Sequence, residues 1–199
     1  MSSVEFGFLL PNGIRIVHGA GAATRDAFPP AWGIPGRLQT FSGGHVNDPS
    51  TPCFAGPQGL LPFDTETRMP RHIMVMEGVA VAELGGEFYV LPPHTLVLIG
   101  AGVPHTWTAC PPGIDFGALG FSTEEKVVSK GKFVAVFEYE APTSFFPTAQ
   151  TNTLATEEEY VRCDDLHAIR IPAMTAEEIQ RQAWFVWGKE IRKLPPSQN

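Results

Sequence analysis

Few residues in this chain can do chemistry, and they fall in two places. The turn GAGVPHTW, residues 100–107, brings the chain round with two glycines and a proline and then delivers His105, followed by the β-prone pair Thr106 and Trp107. An imidazole titrates near neutrality, so His105 is a candidate general acid or base. The second place is FDTETRMPRH, residues 63–72. There Asp64 and Glu66 offer oxygen ligands for a hard cation, Arg71 offers a planar fork for a carboxylate, and His72 adds a second ring. A charge run of this kind is otherwise a solvated stretch. His45 and His94 read as loop or strand-surface residues, and Met69, Met74 and Met76 as packing.

These residues need a scaffold, and composition bounds it. The 199 residues are 43% hydrophobic and 18% charged, which suits one globular domain with its own core. Twenty glycines and 19 prolines signal many turns and short strands. The net charge of −7, with no basic block, argues against a nucleic-acid partner. Cys53, Cys110 and Cys163 are widely spaced and form no CxxC pair, so buried free thiols in a reducing compartment are expected. The opening MSSVEFGFLLPNG lacks a basic region and a long apolar stretch, and no run approaches bilayer length. A cytoplasmic protein without membrane contact is the expectation.

Residues 1–199 read as a single domain in three parts. In the N-terminal extension, residues 1–60, FGFLL and GIRIVHG flank PNG as a hairpin, and two Gly/Pro-rich loops follow. Residues 61–140 form the core. RHIMVMEG, VAVAELGG, EFYVL, HTLVLIG, HTWTA, IDFGALGF and KFVAVFEYE recur as strand candidates with Gly or Pro between them, the pattern of an all-β sandwich or barrel. Residues 141–199 predict two helices. One opens at Thr156 with Glu159 three residues on, the other at Thr175 with Glu178, and both pairs fit a capping box. Ile179, Ala183, Val186, Trp187, Ile191 and Leu194 recur at helical spacing and predict a helix from Ala176 to Ile191. That helix would carry Trp184, Phe185 and Trp187 beyond its regular stripe, so it is expected to pack across the barrel or against a second subunit, giving a homodimer.

The stretch VMEGVAVAELGGEFYVLPPHTLVLIGAGVPHTW resembles the core of the cupin family, small jelly-roll β-barrels. Gly78 stands at the strand-ending glycine, and Gly102 and His105 match the glycine and histidine of the family's P-x-G-x-x-H turn, with Gly100 in place of its proline. The resemblance covers roughly residues 61–125. It implies that His105 projects into a barrel, with Trp107 on the same face two residues later. The first family motif, two histidines and a glutamate, departs here. Counting back seven from Gly78 reaches Arg71 instead of Glu, and the histidine positions fall on Asp64 and Glu66, or on Thr65 and Thr67. His72 lies on the opposite parity unless a bulge intervenes.

Arg in place of Glu changes the local charge by two units. Two unit charges 4 Å apart interact by about 4 kcal/mol at an effective dielectric of 20, and a divalent ion doubles the repulsion. A site without cofactor is therefore favoured. The alternative is a divalent ion, iron, manganese, nickel or zinc, held by His105, Asp64 and Glu66. The expected function is an enzyme of isomerase, decarboxylase or lyase type, moving a proton on a carbonyl- or carboxylate-bearing, aromatic-sized metabolite. His105 would be the acid or base, Arg71 would hold the anion with Trp107 and His72 at the substrate, and Glu66 or Asp64 would tune the histidine. A metal-dependent dioxygenase and a non-catalytic ligand-binding barrel are the competing readings.

Overall fold

A computed structural model of the chain describes residues 2–4, 7–10, 14–18, 71–100, 102–123, 125–138, 148–165 and 174–195. Eleven strands and one short helix lie within them. β1 (Ser2–Val4), β2 (Gly7–Leu9) and β3 (Arg15–His18) precede β4 (Arg71–Gly78), β5 (Ala80–Leu84), β6 (Glu87–Leu91), β7 (Thr95–Ile99), β8 (His105–Ala109) and β9 (Phe133–Glu138). The helix α1 (Ala176–Gln182) leads into β10 (Trp184–Trp187) and β11 (Glu190–Lys193). The strands form two sheets. One runs β1-β2-β3-β7-β4-β9 and the other β11-β10-β6-β5-β8, with β10 parallel to β6.

The alternation of side chains explains both the pairing and the core. In β7, Thr95, Val97 and Ile99 are buried while Leu96 and Leu98 are only half-buried, as expected of a strand with one covered face. Ile16, Ile73, Val75, Val97, Ile99 and Phe133 of the first sheet share one apolar cluster with Ala80, Ala82, Leu84, Tyr89, Leu91, Trp107 and Val186 of the second. The inner faces of the two sheets therefore meet there. The second sheet is also covered on its outer face, where Val81, Val90 and Phe185 pack with Phe116, Phe121 and Ile179. That double cover is why every residue of β5 and of β8 is buried.

The expected hairpin around PNG is present as β2 paired with β3, and six of the seven core strand candidates are strands. IDFGALGF is not. It is a series of turns with a single bridge, Asp115 to Val128, because Asp115 Oδ1 accepts from the amides of Gly117 (2.9 Å) and Ala118 (3.2 Å) and curls the chain. Its phenylalanines still do core work on the outer face, where the Phe116 and Phe121 rings lie 5.4 Å apart.

The C-terminal region corrects two further expectations. Around Thr156 only a 3-10 turn, Glu157–Glu159, forms, with Glu159 Oε2 accepting from the Ala155 amide. At Thr175 the capping box is present in both directions, but α1 ends at Gln182, and Ala183 at its C-cap is already extended. The run WFVW then enters the second sheet as β10 instead of continuing the helix to Ile191. An apolar run of aromatic and β-branched residues fits a strand covered on both faces as well as it fits a helix stripe. Trp184 and Val186 turn to the inner cluster, Phe185 and Trp187 to the outer one. Phe185 and Val186 are buried by these clusters, while Trp184 and Trp187 are half-buried.

Candidate functional site

The site is built on β8 and the turn before it. Gly102 has φ 72° and packs so tightly that an added Cβ would lie 2.2 Å from the Leu154 carbonyl oxygen, while the Leu154 amide donates to the Gly102 carbonyl at 2.8 Å. Only glycine combines that conformation with that approach. The turn so pinned delivers His105 opposite Leu84 of β5. His105 is 5% exposed, on the same parity as Trp107 and Ala109 of the inter-sheet cluster.

The ring of His105 is oriented by its own turn. Its Nδ1 lies 2.8 Å from the Val103 carbonyl oxygen. A carbonyl can only accept, so Nδ1 carries the proton and donates it. In the neutral ring Nε2 is then the basic nitrogen, the atom that can take a proton or bind a metal.

Trp107 is likewise 5% exposed, and its indole Nε1–H is a buried donor with no hydrogen-bond partner among the described residues. Such a group is costly, about 1–3 kcal/mol, and calls for an explanation. Register extends the row. Trp107 pairs with Ala82, Ala82 with Tyr89, and Tyr89 with Trp184, so Trp107 and Tyr89 flank one alanine, with Trp184 beyond Tyr89, across the inner face of the second sheet. Burial, with Glu87 adding, pushes the Tyr89 hydroxyl above its ordinary range, so it stays protonated. Tyr89 escaped the sequence reading. The two-glycine turn Gly85–Gly86 fixes the β5–β6 register and could have revealed it.

The other expected site residues are only partly placed. By backbone register Arg71 stands opposite Ile99, and His72 opposite Leu98. The bulge in β4 falls between Val75 and Glu77, beyond both of them. Their side chains lie outside the described residues, as do Asp64, Glu66, Met69, His45 and Cys53. His94 is exposed in the β6–β7 turn, as expected. Of the cysteines, Cys110 is a buried free thiol, its pKa pushed up to about 12 by burial, whereas Cys163 is partly exposed instead of buried.

Among the described residues no group of three or more His, Cys, Asp or Glu side chains is placed to hold a metal ion. Of the three ligands considered for a metal, only His105 is described, so the fit of such a site rests on Asp64 and Glu66. Among the described residues, no helix is long and apolar enough to cross a membrane. Compared with protein-family models, with curated proteins and with solved structures, the chain matches none.

Proposed function

We propose that the inter-sheet face around His105 and Trp107 is a small-molecule site of cupin type, in which His105 moves a proton on a carbonyl- or carboxylate-bearing metabolite. The orphan Nε1–H of Trp107 carries this reading. A buried donor without an acceptor among the described residues suits an oxygen supplied by an organic ligand. His105 and Trp107 are two residues apart on one strand face, about 7 Å along the chain. That span matches a small planar molecule with its oxygen on the indole and its acidic C–H or O–H on Nε2.

The cupin assignment rests on the motif residues and gains support from their geometry. Gly78 and Gly102, the two glycines carried over from the family pattern, both have φ 72°, and at each a backbone carbonyl lies 2.2 Å from where a Cβ would be. Arg71, seven residues before Gly78 in the sequence, is the residue proposed as an anion-binding fork. Nε2 takes the proton from the ligand, the Val103 carbonyl steadies the resulting imidazolium through Nδ1–H, and the Trp107 donor stabilises negative charge developing on the ligand oxygen.

The test uses phenylpyruvate in deuterium oxide, with deuterium uptake at the carbon next to the carbonyl followed by proton NMR. Wild-type protein should accelerate uptake. His105→Ala should abolish the acceleration while binding survives, and Trp107→Phe should weaken binding by ~2–12-fold, the worth of one hydrogen bond. Uptake accelerated equally by His105→Ala would refute the role of the ring.

A further inference from the structure

A second buried histidine lies at the other end of the sheets. His18 pairs with Thr95 at the start of β7, whereas the His105 end of the second sheet corresponds to Leu84 and the start of β6. His18 is 3% exposed and bonded through both ring nitrogens. Its Nδ1 is 2.7 Å from the Gly188 amide nitrogen, and its Nε2 is 3.0 Å from the Pro93 carbonyl oxygen. An amide N–H only donates and a carbonyl only accepts, so the ring is the neutral tautomer with its proton on Nε2. The Trp187 ring packs against it with centroids 4.6 Å apart. One imidazole therefore ties β3 to the β6–β7 turn and to the β10–β11 turn.

This arrangement tolerates a single protonation state. A second proton would sit on Nδ1, facing the Gly188 N–H, and two donors cannot share that contact. We propose that His18 is a proton-operated latch, holding the β10–β11 turn closed while neutral and releasing it when the ring is protonated.

Among the described residues no carboxylate is paired with His18 to act as counter-ion for an imidazolium. From the β6–β7 turn His94 faces the same cleft, from β4 Glu77, and from the hairpin Lys189 and Glu190. The segment before β9 contributes Glu125, Lys126, Lys130 and Lys132, and Arg15 lies on the histidine's own strand. Four lysines against three glutamates nearly cancel along the cleft, and among the described residues none of these groups forms an ion pair with His18. Burial, with His94 adding, drives the pKa of His18 from 6.5 down to about 4 despite the Pro93 bond. The latch is closed above pH 6.5, and its opening becomes easier as pH falls from there toward 4.

Amide hydrogen exchange at Gly188, corrected for the intrinsic rate, reads the latch directly, with the Cys110 amide on the Val79 carbonyl as reference for global unfolding. Protection at Gly188 should be lower than at Cys110 and should drop about 30-fold between pH 7.5 and pH 5, from the two pKa values. In His18→Gln this drop should vanish. Gly188 protection that is flat with pH, equal to that of Cys110 at every pH, or still pH-dependent in His18→Gln would overturn the latch. Should His18→Gln not fold, nitrogen-15 NMR of the wild-type ring decides. A proton on Nε2 and a midpoint near 4 are expected, and a midpoint near 6.5 would overturn the proposal.

Discussion

Replacing Gly102 by alanine should cost far more than replacing Gly100, although both lie in the turn that delivers His105. At Gly102 φ is 72°, and forcing an L-residue there costs roughly 1–2 kcal/mol. The new Cβ would sit 2.2 Å from the Leu154 carbonyl oxygen, so the 154 segment must move. Moving it endangers the 2.8 Å bond from the Leu154 amide to the Gly102 carbonyl, worth about 0.5–1.5 kcal/mol. Together these give a loss of about 1.5–3.5 kcal/mol. At Gly100 nothing lies within 4 Å of an added Cβ, and its φ is not left-handed. Gly100→Ala should stay within about 1 kcal/mol of wild type, on the stabilising side if the unfolded chain loses freedom. Urea unfolding of both variants, followed by tryptophan fluorescence, measures the difference. Equal costs, or a loss below about 1 kcal/mol for Gly102→Ala, would refute the claim that this turn is pinned by close approach. The consequence for chemistry is direct, because Val103, next in the chain, holds the His105 ring.

Other substitutions probe separate parts of the fold. Thr175→Ala removes the side-chain half of the capping box and should cost ~1 kcal/mol in urea unfolding; no loss would mean that α1 does not depend on its cap. Ser129 accepts from the Ile114 amide at 2.8 Å and donates to the Pro111 carbonyl, so Ser129→Ala should cost about 1–3 kcal/mol by stranding a buried N–H. A change under 0.5 kcal/mol, roughly the scatter of neutral surface substitutions, would show that water replaces the hydroxyl. The depressed pKa of His18 means that the unfolded chain binds the proton first as pH falls, so folding loses stability. Its share is about 2 kcal/mol between pH 7.5 and pH 5, and the unfolding free energy of His18→Gln should fall less by that amount.

The strands were legible because their physics is local. RHIMVMEG, EFYVL and HTWTA carry their own alternation or β-branched content, and Gly78 ends β4, Gly85 and Gly86 follow β5, and Pro92 and Pro93 follow β6. IDFGALGF misled because Phe116 and Phe121 mark a covering turn as strongly as they would mark a strand. WFVW misled because burial on both faces erases the difference between the periods of helix and strand. That burial is a tertiary fact, set by β6 on one edge and the 110–130 segment over the outer face. At the site, the inward parity of His105 and Trp107 followed from one strand read alone. Tyr89 and the Val103 bond needed register and turn geometry. His18 was invisible because its partners, Pro93 and Gly188, are 75 and 170 residues away.

The central claim is that His105 acts through its own basic nitrogen on an organic ligand. Elemental analysis of wild-type protein, purified without added metal or chelator, beside His105→Ala and the Asp64→Ala and Glu66→Ala variants, tests it most directly. Divalent metal far below one ion per chain in all four proteins is the expected result. Near-stoichiometric metal in the wild type, lost in His105→Ala and in either carboxylate variant, would contradict the claim and assign His105 to a metal site.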